Sequence, residues 1–231
     1  MTAGTQDLTL DLGPGLGVVS ALLQRPPDAW LLYVLAHGAG AGMRHSFLGS
    51  ISATLATRGV ATMRYQFPYM EAGSRRPDTP AVAEATVRAV VSQGAVLAPD
   101  LPLIAGGKSF GGRMTSGAAA SSLPGVRGLA FLGFPLHPPG RPGTRRADHL
   151  VRVELPMLFL QGTRDQFAQT NLVTGVCQRL GDRATLHLVE GADHSFGVPK
   201  SSGRTPAAVL DELADTLVQW VQSRVLGQAR R

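Results

Sequence analysis

The chain has 231 residues, a length that suits one domain, and its 44% of hydrophobic and 16% of charged residues provide for a buried core and argue against disorder. No apolar run is long enough to cross a bilayer, and the first residues lack the basic and apolar regions of a signal peptide, so we expect no membrane partner. The single cysteine, Cys177, excludes an internal disulfide. We predict one domain over residues 1–231, without a separate lid domain, in a cytoplasmic protein.

The formal net charge of +6 raises the question of a polyanionic partner such as nucleic acid. Almost all of the positive charge is arginine, because lysine occurs only at Lys108 and Lys200. Adjacent arginines occur at 75–76, 145–146 and 230–231, which are scattered along the chain without interleaved aromatic residues. We therefore expect no nucleic-acid partner, and the oligomeric state is left open.

Segments of strand character alternate with segments of helical character along the chain. Alternating or continuous apolar runs predict strands at 8–12, 17–25, 30–38, 60–67, 101–107, 126–134, 156–162 and 184–191. Apolar residues at helical spacing, with Thr-Pro starts at 79–80 and 205–206, predict helices at 46–59, 80–94, 110–122 and 170–181 and from 206 onward. The segment 135–154 is rich in proline, glycine and arginine and is predicted to be a surface loop.

Strands that alternate with helices predict an α/β fold, in which a mostly parallel central sheet of about eight strands is flanked by helices on both faces. In such sheets the functional residues lie at the carboxyl ends of the strands. The motifs that follow strand ends are therefore the first place to look for chemistry.

The stretch "PLIAGGKSFGGRM", residues 102–114, matches part of two different motifs. A phosphate-binding loop requires G-x-x-x-x-G-K-[ST], and counting back from Gly107 places the required first glycine at Pro102. Proline has no N–H to offer a phosphate and fixes its own φ. The stretch is therefore a poor nucleotide-binding loop.

The same stretch contains G-x-S-x-G as Gly107-Lys108-Ser109-Phe110-Gly111. In this motif a serine nucleophile lies on a sharp strand-to-helix turn, and the residues two before and two after it must be small to avoid collisions. The hydroxyl would then lie at the carboxyl edge of the sheet, near a helix amino terminus that favours developing negative charge. The structural alternative is a glycine-rich turn whose serine only caps the helix.

A serine nucleophile needs a base, and the base needs an orienting carboxylate, in the chain order serine, acid, histidine. Asp165 follows the strand at 156–162, and His194 follows the strand at 184–191. Ser109, Asp165 and His194 therefore all follow strand ends and face one edge of the sheet. Asp193 is less suitable than Asp165, because orienting the ring of its own neighbour would require an awkward backbone bend.

An oxyanion hole requires two N–H donors. We predict Phe110, the residue after the nucleophile, as the first donor, and either Ala39 or Gly40 in the glycine-rich loop "HGAGAGM" as the second. His37 is predicted to brace this loop rather than to act in catalysis.

Aromatic and apolar residues near strand ends are candidates for the wall of an acyl pocket, although such residues are as often plain core. They are Tyr65, Phe67, Tyr69, Phe134 and Leu136. No cluster of His, Cys, Asp and Glu has metal-ligand spacing, so we expect no metal and no cofactor.

The segments "LAHGAG", "GGKSFGGR", "GFPLHPPG", "LQGTRD" and "ADHSF" together resemble the α/β-hydrolase superfamily over essentially the whole chain. More narrowly they resemble a small lidless branch of bacterial predicted hydrolases that is related to dienelactone hydrolases, to a testis-expressed protein and to a subunit of the non-specific-lethal chromatin complex. The resemblance implies Ser109 as nucleophile, Asp165 as acid and His194 as base. It departs from dienelactone hydrolases, which use cysteine where this chain has Ser109.

The motifs and the resemblance predict a serine hydrolase that cleaves a small carboxylic ester or thioester through an acyl-enzyme. The alternative is a non-catalytic protein-interaction module that retains the hydrolase fold, since fold alone does not determine function.

Overall fold

The computed structural model describes residues 4–227, which contain one eight-stranded sheet. Its strands are β1 (Thr5–Asp11), β2 (Val18–Gln24), β3 (Leu31–Ala36), β4 (Val60–Tyr65), β5 (Leu103–Lys108), β6 (Val126–Leu132), β7 (Met157–Gly162) and β8 (Ala184–Val189). The arginine pair at 230–231 and the first three residues of the amino-terminal segment lie outside the described residues. Within those residues, no helix combines the length and the hydropathy needed to cross a membrane.

The strand order in the sheet is β1-β2-β4-β3-β5-β6-β7-β8. β2 is antiparallel to β1 and to β4, and all other pairs are parallel, which confirms the mostly parallel sheet predicted from the alternation. Ala36 pairs with Gly107, so the carboxyl ends of β3 and β5 lie side by side in the centre of the sheet. The loop after β3 and the turn after β5 therefore meet at one edge.

Helices cover both faces of the sheet, as predicted. They are α1 (Ser46–Ala56), α2 (Pro68–Glu71), α3 (Pro80–Leu97), α4 (Phe110–Ala119), α5 (Thr170–Leu180) and α6 (Pro206–Trp220). Buried residues of α1 and α6 pack on one face, and those of α3, α4 and α5 pack on the other. Both predicted Thr-Pro starts are confirmed, because the hydroxyls of Thr79 and Thr205 accept hydrogen bonds from the N–H groups of Val82 and Ala208.

The segment 135–154 differs from the predicted surface loop. It contains a 3-10 helix, Arg145–Arg152, that contacts α4 and α5. Ala147 and Leu150 are buried and lie three residues apart, which matches the three residues per turn of a 3-10 helix, and Val153 directly after the helix is buried as well. The segment was predicted to be a loop because it is rich in proline and glycine, and this short apolar period did not enter that prediction.

Several predicted strands extend past the observed strand ends. β4 and β6 stop before Phe67 and Phe134, although both side chains are fully buried. The apolar pattern continues beyond the ladder because the loops at this edge turn inward and pack in the core. At this edge of the sheet, buried loop residues therefore continue the apolar pattern of the strands, and the predicted strands are too long.

Candidate active site

Ser109 occupies the turn between β5 and α4 in a conformation that is rare for a residue other than glycine. Its φ is 51° and its ψ is −112°, and its N–H donates to the carbonyl of Leu132 on β6 at 3.1 Å. A Cβ at Gly107 would lie 2.5 Å from the carbonyl oxygen of Ala36, and one at Gly111 would lie 2.6 Å from that of His37. Both glycines are therefore needed, because the turn packs directly on the backbone at the end of β3.

The structure brings Ser109, His194 and Asp165 together in one line of hydrogen bonds. Nε2 of His194 lies 2.9 Å from Oγ of Ser109, and Nδ1 of His194 lies 2.7 Å from Oδ2 of Asp165. The Asp165 side chain is fully buried, whereas the His194 side chain is 17% exposed. Only the histidine and the serine are thus open to a ligand, which is the arrangement that nucleophile activation requires.

The buried carboxylate of Asp165 is held by two further donors. The side-chain amide of Gln161, on β7, donates to Oδ2 at 2.5 Å, and the N–H of Phe167 donates to Oδ1 at 2.7 Å. Gln161 is itself fixed, since its Oε1 accepts from the N–H of Phe134 at 2.9 Å. These bonds stabilise the charged carboxylate away from water and fix the direction in which it faces His194.

Of the three residues expected to supply an oxyanion hole, Phe110 directly follows Ser109 and Ala39 lines the same cavity, whereas Gly40 does not line it. Phe110 is the first residue of α4, so its N–H precedes the first helical hydrogen bond, which runs from Arg113 to Ser109. The N–H of Gly40 donates to the hydroxyl of Tyr69 at 3.0 Å and is therefore engaged. Ala39 lines the cavity in front of Ser109, and its N–H contacts no acceptor among residues 4–227.

His37 lies behind this loop and is fully buried. Its Nδ1 bonds the carbonyl of Gly38 at 2.7 Å, and its Nε2 accepts from the N–H of Phe67 at 3.2 Å. Burial lowers the pKa of His37 to about 4, so the ring is neutral at pH 7, and Nε2 remains an acceptor. His37 thus ties the loop after β3 to the loop after β4, consistent with the bracing role predicted for it.

A cavity of about 300 Å³ opens in front of Ser109 and His194. Its apolar wall comes from Phe47 and Leu48 of α1 and from Phe167. Phe47 and Leu48 follow helical periodicity and Phe167 lies in a loop, so no local pattern distinguishes them from ordinary core residues. Their place in the cavity depends on how α1 and the loop after β7 pack at the sheet edge.

The five residues predicted to wall an acyl pocket are buried and do not line this cavity. They are Tyr65, Phe67, Tyr69, Phe134 and Leu136. The rings of Phe67 and Tyr69 instead pack against the ring of Phe110, with centroids 5.3 and 6.4 Å apart. They support the turn from behind, because the inward-turning loops place them in the core beneath it.

Lys108 brings a cation to the wall of the cavity. Its Nζ donates to the backbone carbonyl of His194 at 2.5 Å and lies 5.5 Å from the centroid of the Phe196 ring. Burial lowers the pKa of Lys108 to about 8, and the negative charges of Asp165 and Asp193 act in the opposite direction. The G-x-S-x-G motif does not predict this contact, because the contact forms only when the loop after β8 packs against the end of β5.

The remaining acid–base candidates have structural partners. His187 pairs with Glu212 at 2.7 Å, and His45 caps α1. Asp193 accepts from the N–H groups of Ser195 and Gly197 and so closes its own turn. In the described part of the chain, no group of three His, Cys, Asp or Glu side chains is placed to hold a metal ion.

A second serine–histidine pair lies outside the cavity. Oγ of Ser116 lies 2.7 Å from Nε2 of His149, and the same hydroxyl donates to the carbonyl of Arg113 at 2.8 Å. Over residues 4–227 no carboxylate is hydrogen-bonded to the other nitrogen of His149. Ser116 also has ordinary helical geometry within α4 and is buried, so this pair lacks both the orienting acid and the exposed nucleophile.

Residues 29–222 match the sequence profile of a family described as alpha/beta hydrolase domain, and the chain belongs to that family. Among solved structures the chain is similar to a lidless α/β serine hydrolase from Xanthomonas campestris, with 21% identity, a TM-score of 0.73, and coverage of 96% of this chain and 95% of that one. It is also similar to a dienelactone hydrolase from Anabaena variabilis, with 16% identity, a TM-score of 0.76, and coverage of 97% and 100%.

A third similar structure is Est1E from Butyrivibrio proteoclasticus with bound ferulic acid, with 17% identity, a TM-score of 0.71, and coverage of 93% and 99%. At these identities the structural likeness establishes the fold, which is the one that the sequence motifs predicted. The narrower likeness to the testis-expressed protein and to the chromatin-complex subunit stays a prediction.

Proposed function

We propose that this protein is a serine hydrolase that cleaves a small carboxylic ester or thioester. The observation that carries the proposal is the line of hydrogen bonds from Ser109 through His194 to the buried Asp165, which ends at a cavity. A strained serine, an oriented histidine and a buried carboxylate are the three parts of a nucleophilic triad. Membership of the α/β-hydrolase domain family supports the same chemistry.

In the proposed reaction Oγ of Ser109 bonds to the substrate carbonyl carbon while its proton passes to Nε2 of His194. Asp165 holds the imidazole in position and stabilises its positive charge. The negative oxygen of the tetrahedral intermediate accepts hydrogen bonds from the N–H groups of Phe110 and Ala39. Ala39 is favoured over Gly40 as the second donor, because the N–H of Gly40 is engaged by Tyr69.

The intermediate then collapses, and the bond from the carbonyl carbon to the leaving oxygen or sulfur breaks. Nε2 of His194 returns its proton to the leaving group, which departs as an alcohol or thiol. Water next attacks the carbonyl carbon of the acyl-enzyme and loses a proton to the same nitrogen. The bond between that carbon and Oγ of Ser109 then breaks, and Nε2 of His194 returns the proton to Oγ, which releases the acid and regenerates Ser109. No metal or cofactor enters these steps.

A cavity of about 300 Å³ with phenylalanine and leucine side chains suits a small acyl group. The similar structure with bound ferulic acid and the similar dienelactone hydrolase support a carboxylic acyl group as the part of the substrate that reacts. The proposal includes one domain without a separate lid, because no residue of segment 135–154 lines the cavity. The cytoplasmic location stays a prediction.

The proposal is tested by labelling with a fluorescent fluorophosphonate, which reacts with activated serines. We expect strong labelling of the wild type and none of Ser109→Ala or His194→Ala, each checked for folding by circular dichroism. Ser116→Ala is the matched control, since Ser116 also bonds a histidine but has no orienting acid, and it should label like the wild type. Folded wild type that does not label would contradict the proposal and favour the interaction module.

A further inference from the structure

A second cavity, of about 360 Å³, lies between the start of α3, the helix α4 and the 3-10 helix Arg145–Arg152. Its charged and titratable lining consists of Glu84, Arg113, Arg145, Arg146, His149 and Arg152. None of its lining residues lines the cavity at Ser109. It is therefore a separate concavity, to which the proposed hydrolysis assigns no role.

The cavity has an excess of positive charge that is not neutralised by ion pairs. Four arginines face one carboxylate, Glu84, and within residues 4–227 none of the four forms an ion pair. Within residues 4–227 four arginines form ion pairs, namely Arg25, Arg44, Arg58 and Arg204, and the other fourteen do not. The feature that distinguishes this group is therefore its clustering, because four of these unpaired arginines line one cavity together with a single carboxylate.

The positive charges that line this cavity repel one another, and burial and this repulsion together lower the pKa values of Arg113 and His149. Burial lowers the pKa of Arg113, and the charge of Arg146 lowers it further, against the opposing effect of Glu84. Burial also lowers the pKa of His149, and the charges of Arg152 and Arg113 add to that effect, whereas the charge of Asp148 acts in the opposite direction. An anion in the cavity would relieve this repulsion and would offer hydrogen-bond acceptors to the half-buried Arg113 and Arg146, whereas Arg145 and Arg152 are exposed.

We propose that this cavity binds a phosphate monoester group. Each arginine presents a planar fork of donors that matches phosphate geometry, and four of them supply far more donors than the two oxygens of a carboxylate can accept. A phosphate monoester offers three terminal oxygens and a charge of about −1.5 to −2 at pH 7, which suits the excess charge better. The volume of about 360 Å³ is ample for one phosphate group.

The first test is isothermal titration calorimetry with inorganic phosphate at constant ionic strength, with chloride as the reference anion. We expect saturable phosphate binding to the wild type and about tenfold weaker binding to Arg113→Gln and Arg146→Gln, since a hydrogen bond to a charged group contributes about 1.5 kcal/mol or more. Arg127→Gln is the matched control, because Arg127 is an exposed arginine at the start of β6 that does not line the cavity. Binding equal to that of chloride, or unchanged in both cavity variants, would overturn the proposal.

Histidine ring resonances locate the bound anion independently of affinity. On titration with phosphate the ring signals of His149 should move, whereas those of His187, which is paired with Glu212, should stay. Movement of other histidine signals without that of His149 would place the anion elsewhere and refute the site. The readout needs no hydrolysis, so it is independent of the triad.

A phosphate monoester group occurs both in soluble metabolites and in anionic lipid headgroups, and two probes distinguish these sources. Glycerol 3-phosphate is tested by competition with inorganic phosphate, and vesicles of phosphatidylcholine with phosphatidic acid are tested by co-sedimentation. Competition by the soluble ester without vesicle binding identifies a soluble ligand, and vesicle binding that Arg113→Gln abolishes identifies a lipid. Failure of both probes to bind in an Arg113-dependent manner would refute the site.

Discussion

The ammonium group of Lys108 lies 2.5 Å from the backbone carbonyl oxygen of His194, so the residue before the proposed nucleophile holds the loop that carries the proposed base. The two residues are 86 positions apart in the chain. The hydrogen bond joins the end of β5 to the loop after β8. It therefore contributes to the distance between Oγ of Ser109 and Nε2 of His194 without contacting the reacting atoms.

Replacing Lys108 with methionine is expected to lower kcat about tenfold for a small ester and to leave KM nearly unchanged. The variant loses a hydrogen bond from a charged donor, which contributes about 1.5 kcal/mol, and its loss displaces His194 from Ser109. Steady-state kinetics measure the effect. Lys200→Met is the matched control, because Lys200 is the only other lysine and is exposed. A Lys108→Met variant with wild-type kcat would show that the loop is positioned without this bond.

The buried ammonium of Lys108 also predicts how stability changes with pH. Burial lowers its pKa to about 8 from 10.5, so between these values the unfolded chain binds more protons than the folded one. The free energy of unfolding of the wild type, relative to Lys108→Met, should therefore rise with pH from 8 to 10.5, by about 3 kcal/mol in total. Urea denaturation of both proteins at pH 7, 9 and 10 measures this. A difference that stays constant with pH would contradict the burial of a charged lysine.

His37 should make the protein sensitive to acid. Its pKa is lowered from 6.5 to about 4, so its contribution to stability is complete above pH 6.5 and is lost as the pH falls toward 4. We expect the wild type to lose about 3 kcal/mol more than His37→Asn over this interval. Chemical denaturation at pH 7, 5.5 and 4.5 provides the comparison. Parallel losses in the two proteins would show that His37 titrates normally.

Phe47 should limit the length of the acyl group. Its ring stacks on that of Phe196, with centroids 5.5 Å apart, and it lines both the cavity at Ser109 and an adjacent apolar cavity of about 320 Å³. Phe47→Ala joins the two spaces, so we expect kcat/KM to rise about tenfold for an octanoyl ester relative to an acetyl ester, which corresponds to the additional burial of about two CH₂ groups at about 0.8 kcal/mol each. Phe47→Leu, which keeps most of the volume, is the control. An unchanged chain-length preference in Phe47→Ala would show that the acyl group lies elsewhere.

Gln161 should matter for the orientation of the acid. Gln161→Met keeps the volume but removes the donor to Asp165 and the acceptor for the N–H of Phe134. Leaving these buried groups without partners should cost about 1–3 kcal/mol of stability and lower kcat. Thermal unfolding and ester kinetics measure the two effects. A stable variant with full activity would mean that the N–H of Phe167 suffices to hold the carboxylate.

The sequence alone predicted the sheet and the three residues of the proposed triad, for a definite reason. G-x-S-x-G is a local signature, since the collisions that demand glycine at 107 and 111 arise within one turn and its immediate neighbours. Asp165 and His194 were found because each directly follows a buried strand, and the carboxyl ends of parallel strands meet at one edge. Chain order and topology were enough to bring these groups together.

The tertiary structure decided everything that depends on contacts between distant segments. The hydroxyl of Tyr69 accepts a hydrogen bond from the N–H of Gly40, which leaves Ala39 as the second oxyanion donor that we propose. The inward-turning loops bury the five residues that were predicted to wall the pocket. The ammonium group of Lys108 donates to the backbone carbonyl of His194. The arginines at 145–146, which are isolated in the sequence, lie beside Arg113 once the 3-10 helix packs on α4. A periodic pattern in the sequence predicts which side chains are buried. Only the packing of distant segments determines whether a buried side chain lies in the core, lines a cavity or contacts a charged group from another part of the chain.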